Sequence, residues 1–333
     1  FSYNKVFEES HSQGGVSGYA HYGALFNGAR GLALDMPFDL VDFIEVLQGG
    51  RLRVDGWYPF LNLGFKVTPS AGSDYPYFGP SLPGVERYYV RLDGAFDADD
   101  WYRSFRAGHV FVTNGPLLDF TINGQGMGRE LRVARGTTLD VAAIARLNPD
   151  FQAMGQLELV VHGDVVATAE GNGQERLELQ TELVAERSMW VAIRVVGDQD
   201  EVQPGQGQQR PYVALAHSAP IYVVVDGQPF WKTEDVPSLV QEQRQMLQDL
   251  LSAPVDPMRD LEAWATLEVL APQWDRQRRL LRARVEEADA KYREILRLAT
   301  GPAAASMPRL SPVLVVLALV MLTGALARSY FGA

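Results

Sequence analysis

The chain contains no cysteine. Disulfide cross-links, thiolate nucleophiles and zinc–thiolate sites are therefore excluded. Histidine is scarce, at five residues in 333, so each one has to be placed. Cations are outnumbered, 30 Lys and Arg against 41 Asp and Glu, for a net charge of -11. That balance argues against a nucleic-acid partner, whose phosphates need clustered Lys and Arg. No Gly-x-Ser-x-Gly elbow and no Gly-x-x-x-x-Gly-Lys loop occurs, which disfavours a serine hydrolase and a P-loop phosphate site. The opening FSYNKVFEES has neither a basic stretch nor an apolar core and does not resemble a secretory leader. It reads as the middle of a domain, and the chain is expected to begin partway into a longer protein.

What remains is the composition of a folded protein, 47% apolar and 21% charged, long enough for two domains with further segments. Residues 1–90 mix Gly-rich turns with short apolar runs, FDLVDFIEVLQ and FLNLGFKVTPSAG, that read as strand and helix pieces feeding loops at strand ends. Residues 97–109, DADDWYRSFRAGH, predict a short helix. Its acidic start suits the helix dipole, and Gly108 marks its stop. From His109 to Asp226 the pattern is short apolar or alternating runs cut by Gly, Asn and Pro, with no helix between them. This predicts a β-sandwich, and residues 91–230 are expected to form it with the leading helix. Residues 231–300 carry apolar positions at helical spacing among many charges. A helical hairpin or coiled segment is expected there; a protein that acts on a partner through it is a third option, tested by whether residues 233–299 self-associate. LSPVLVVLALVMLTGALA, residues 310–327, is free of charge and bracketed by Arg309 and Arg328. As a helix it would reach roughly 27 Å, close to a bilayer core. A transmembrane helix over 309–328 is therefore expected, anchoring a folded part that lies outside the cytoplasm.

Three side chains stand out chemically. His21 follows a Gly-rich stretch and a short apolar run, where a metal ligand or a general base would sit. Glu45 is embedded in Phe-Ile-Glu-Val-Leu; in a strand buried on both faces it needs a partner, a metal or a raised pKa. Asp74 ends SAGSD, either as simple turn chemistry or as a ligand exposed by the glycine. Three such ligands on successive loops would suit a hard or borderline cation. His11, before the Gly-rich loop, is placed to line the same site. Arg87 is a candidate to hold an anionic or carbonyl oxygen, or to form an ion pair between domains. Asn62 either polarises a substrate or satisfies a turn. His217 reads as structural or interdomain; His109, before a strand, and His162, in the VHGD hairpin turn, read as surface residues.

GGVSGYAHYG, VDFIEVLQ, WYPFLNLGFKVTPSAGSD, GHVFVTNGPLLDFTING and AHSAPIYVVVDG, in this order, resemble the carbaryl-hydrolase type of PHP-domain metallohydrolases, the CehA/McbA family. The resemblance spans about residues 10–230. It implies that residues 1–90 are the back half of a distorted β/α barrel, followed by a β-sandwich-like domain. It also implies metal-dependent hydrolysis of ester, carbamate or phosphoester bonds in a small-molecule substrate, using divalent zinc, manganese or iron. His21 and Asp74 match metal ligands of that pattern, and Glu45 matches an acidic strand residue that need not touch metal. Catalysis would rest on Asp74 orienting a water and on His21, with Arg87, Asn62 and His11 near the substrate. Two positions after Asp74, where PHP domains often place a histidine, stands Pro76. The early His-x-His pair would precede Phe1, so only the back half of a metal site is expected. The alternative expectation is a membrane-tethered binding or scaffolding protein with a degenerate barrel.

Overall fold

The computed structural model describes residues 3–21, 28–75, 82–148, 150, 153–171, 173–197, 213–252 and 267–301. Phe1–Leu296 make one compact unit and Arg297–Ala333 a second. The first unit is mixed α/β and dominated by its sheets. After helix α1 (Asn4–Ser12) come β1 (Gly18–Tyr19), α2 (Gly28–Asp35), β2 (Phe43–Gln48), β3 (Arg51–Leu52), α3 (Tyr58–Asn62) and β4 (Thr68–Gly72). β2 is the centre of a small sheet. β1 runs parallel to its first half, β4 runs parallel along its length, and β3 folds back on its end.

The sandwich follows. β5 (Arg87–Val90), α4 (Ala98–Arg106), β6 (Val110–Thr113), β7 (Leu117–Ile122), β8 (Gln125–Gly126), β9 (Glu130–Val133) and β10 (Thr137–Arg146) lead into β11 (Gln156–Val161), β12 (Asp164–Glu170), β13 (Arg176–Ala185), β14 (Met189–Val196), β15 (Ala216–Ser218) and β16 (Ile221–Val225). One sheet has the order β13-β10-β7-β8. The other is eight-stranded, β12-β11-β14-β15-β6-β5, with β16 joining β14 to β9. The β16–β9 pair is parallel, which the run of antiparallel hairpins in the sequence does not suggest.

The two sheets are buried differently, and their sequences differ accordingly. In β10 and β13 apolar and polar residues alternate, and burial alternates with them, because one face meets the core and the other meets water. β14, MWVAIRVV, is buried almost throughout. Val191, Ile193 and Val195 enter the core between the two sheets. Trp190 and Ala192, with Val112, Val160 and Tyr222, enter a second core shared with Ile44, Val46 and Leu47 of β2 and with Trp57, Phe60 and Leu61 around α3. The large sheet is thus a middle layer, and removing residues 1–90 would strip its outer face.

That second core corrects the barrel expectation. Among the described residues no barrel is closed: the small sheet is open, ending at β1 on one side and β4 on the other. Closure demands hydrogen-bonded neighbours all round; here the apolar side chains are covered by the eight-stranded sheet instead. The expectation of a transmembrane anchor is also corrected. Among the described residues no helix is long and apolar enough to cross a membrane, and the uncharged segment 310–327 lies outside them.

Two turns follow the sequence closely. Asn123–Gly124 joins β7 to β8, and His162–Gly163 joins β11 to β12, each as a two-residue connection with both residues at positive φ. That geometry matches the twist of the paired strands. α4 is capped by Asp97, whose side chain accepts from Asp100 N at 3.0 Å. At the other end of the unit, α5 (Val236–Ser252) and α6 (Leu267–Thr300) form the helical segment. Arg244 of α5 pairs with Asp289 of α6 at 2.5 Å, and Tyr292 Oη donates to Ala33 O of α2 at 2.9 Å. Val240, Leu247, Val285 and Tyr292 are buried, so this apolar stripe is occupied within the unit.

Candidate functional site

Three parallel strands share one direction, so their carboxyl ends lie on one side of the small sheet. In open α/β sheets this is where ligands bind. β1 delivers His21 two residues past its end, β2 carries Glu45 and Gln48, and β4 delivers Asp74 two residues past its end. His21 and Asp74 both hold a left-handed backbone, φ 58° and 51°. Few non-glycine residues do so outside tight turns and functional loops.

The groups meet closely. The His21 backbone N–H donates to Glu45 Oε2 at 2.6 Å, and His21 Nδ1 lies 3.1 Å from Gln48 Oε1. An amide oxygen only accepts, so Nδ1 carries the proton and Nε2 is left as the basic nitrogen. Glu45 is buried, and burial pushes its carboxyl pKa up. The His21 backbone N–H and ring act against that, while the charges of Asp74 and Glu86 add to it. Glu86 is 3% exposed. Its Oε1 accepts from Gly50 N at 2.8 Å, and its Oε2 is buried without a hydrogen-bond partner among the described residues. Sequence reasoning missed Glu86 and Gln48. The only hint of Glu86 is an acid directly before the aromatic run RYYV.

The glycine of the SAGSD motif has a definite role. A β-carbon at Gly72 would press into Glu45 Oε1, well inside van der Waals contact. Gly72→Ala must therefore displace the Glu45 carboxylate or shift β4. Crowding of this kind costs about 1–3 kcal/mol. We expect a loss of that size in urea denaturation, larger than for Ala71→Gly in the same strand; equal stability of Gly72→Ala and wild type would show that Glu45 moves freely.

The other sequence candidates lie elsewhere. His11 Nε2 contacts Asp42 Oδ2 at 2.8 Å and Ser17 Oγ at 3.0 Å. Ser17 precedes β1 and Asp42 precedes β2, so His11 sits at the amino ends of the strands, opposite the cluster. Asn62 is part of the shared core: its Oδ1 accepts from Trp190 Nε1 at 2.7 Å, and its Nδ2 donates to His162 O at 3.3 Å. Arg87 donates to Gly84 O and Val85 O at 3.0 Å and to Tyr89 Oη at 3.1 Å, stapling its own loop. His217 is fully buried between Tyr58 Oη, 2.6 Å from Nε2, and Ser218 O, 2.7 Å from Nδ1. His162 occupies the expected turn yet is 1% exposed, because its ring turns inward to Phe230 O at 2.8 Å and against Trp190. His109 is half-buried beside Arg129 and Arg91.

The metal-binding expectation is corrected by this geometry. Among the described residues no group of three or more His, Asp or Glu side chains is arranged to hold a metal ion. Glu45 Oε2 is engaged by the His21 backbone N–H and His21 Nδ1 by the Gln48 amide oxygen. Pro76 lies outside the described residues. Comparison with known proteins finds no matching family model and no matching curated protein. The family resemblance rests on the motifs quoted above.

Proposed function

We propose that the cluster of His21, Glu45, Asp74 and Glu86 is the working site, and that it moves protons in the hydrolysis of an ester, carbamate or phosphoester bond of a small molecule. The observation that supports this most is the pairing of a buried carboxyl whose pKa is raised with a histidine whose Nε2 is free to accept. A buried carboxyl raised toward its protonated form, beside a histidine ring nitrogen able to accept, offers an acid and a base in one cluster. In this reading His21 Nε2 takes a proton from the attacking water, and Glu45 delivers its own to the departing oxygen. Burial first, and then the charges of Asp74 and Glu86, favour the protonated form of Glu45. The ordered motifs shared with carbaryl-hydrolase-type proteins support the choice of bond.

The test uses the full chain with activated esters, carbamates and phosphoesters. Glu45→Gln and His21→Ala should each lower kcat by about 100-fold or more, with the thermal melt retained. Asp74→Asn should shift the alkaline limb of the pH–rate profile to lower pH, because with one negative charge near Glu45 removed its carboxyl loses its proton more readily. A wild-type chain that turns over none of the three bond types, with or without added zinc, manganese or iron, would reject the hydrolase reading.

One observation favours a second reading, a binding or scaffolding module. The His21–Glu45, His21–Gln48 and Gly50–Glu86 hydrogen bonds close much of the cluster on itself. Under that reading the same three substitutions change stability alone.

A further inference from the structure

A cleft of about 600 Å³ opens between β5–β6 and the β7–β8 hairpin. Its floor is apolar: Phe111, Phe120 and Met127 line it, and Tyr89 stacks on Phe111 with ring centroids 5.1 Å apart and planes at 21°. Its rim is basic. Arg91 and Arg129 stand there with His109 between the strands. Both guanidinium groups address one carboxylate, that of Asp93: Arg91 Nε lies 3.8 Å from Oδ1, and Arg129 Nη2 lies 3.8 Å from Oδ2. These distances are too long for hydrogen bonds, and all three side chains are at least half exposed. The remaining acid of the rim, Asp119, is paired with Arg146 at 2.8 Å. Two arginines thus face one loosely held carboxylate, in a chain whose net charge is -11.

We propose that this cleft binds a small organic carboxylate with an aromatic body. Its carboxylate takes the seat between Arg91 and Arg129 that Asp93 loosely fills, and its body lies on Tyr89, Phe111 and Met127. Charge and shape agree on this ligand class. Guanidinium groups hold a carboxylate through paired N–H donors, and an aromatic and thioether floor suits a flat apolar body. A neutral His109 beside them adds a donor without adding charge: burial, with the nearby Arg129 cation, lowers its pKa. The Asp93 loop, RLDGAFD, then acts as a built-in competitor.

The probe is 2-naphthoate, titrated into the full chain by calorimetry, with 2-naphthamide as the neutral match. Saturable naphthoate binding is expected, at least fivefold tighter than naphthamide and weaker at high salt, since exposed charge pairs are screened. Arg91→Gln and Arg129→Gln should each weaken it about fivefold, and Asp93→Asn should tighten it about fivefold, since each removes one exposed charge from the seat. All three positions are exposed, so unchanged melts should accompany the variants. Equal affinity for acid and amide, no saturable binding, or weaker or unchanged binding by Asp93→Asn would each overturn the proposal.

Discussion

Trp190→Ala should cost about 3–5 kcal/mol of stability, the range for removing a large aromatic from a core. Trp190 is 0% exposed in the middle layer of the fold. Its ring packs on Tyr58 at 4.9 Å between centroids and on His162 at 6.2 Å. Its indole N–H supplies the 2.7 Å hydrogen bond to Asn62 Oδ1. The truncation therefore opens a cavity and also leaves a buried amide oxygen short of a donor. Trp190→Phe separates the two costs. It keeps most of the volume and loses only the N–H, for about 1–3 kcal/mol. Urea denaturation of the three proteins measures both. If Trp190→Ala cost no more than Trp190→Phe, the packing of the small sheet and α3 against the sandwich would contribute little.

Acidification should destabilise the protein through two buried histidines. Burial drives the His217 pKa down to about 3, with the Arg194 charge adding to it and the Ser218 carbonyl opposing. Burial likewise lowers His162 to about 4. In the unfolded chain both protonate near pH 6.5. Between about pH 6.5 and 4 the unfolded state thus binds protons that the folded state refuses. Each histidine then removes about 1.4 kcal/mol of stability per pH unit as the pH falls. Asp35 works in the opposite sense. Burial raises its carboxyl to about 6, against the hydrogen bond from Tyr19 and the charge of Arg284. The folded state therefore takes up this proton first, and the stability it brings is lost as the pH rises through 6. The raised Glu45 acts in the same direction as Asp35. His217→Gln should accordingly flatten the stability–pH curve by about 1.4 kcal/mol per unit between pH 6 and 4, and Asp35→Asn should steepen it by a similar amount. Denaturation at a series of pH values decides the matter. A His217→Gln curve parallel to wild type would mean that His217 is not held neutral.

Much of the local structure could be read in advance because it depends on neighbours in the chain. The alternation of TTLDVAAIAR and RLELQTELVA, the Asn-Gly and His-Gly turns, and the acidic start of α4 each express a local requirement, and each stands where it was expected. Glu45 was also legible, since a carboxylate between Ile44 and Val46 in a buried strand has to be compensated. His162 shows the limit. Its turn was evident from VHGD, but its burial was not, because Trp190 and Phe230 cover it from 28 and 68 residues away.

The sequence by itself determined the all-strand middle of the chain, the helical segment after it, the exclusion of cysteine chemistry, and the placement of His21 and Asp74 just after short strands. Period and turn chemistry act within a few residues, so one chain suffices to read them. Only the tertiary structure decided that the small sheet stays open against the sandwich, that Glu86 joins His21, Glu45 and Asp74, and that His11 lies at the far end of the same strands. Those outcomes depend on which apolar faces meet and on which strand ends align. Both are set by contacts between residues distant in the chain, where burial of shared surface outweighs local preference.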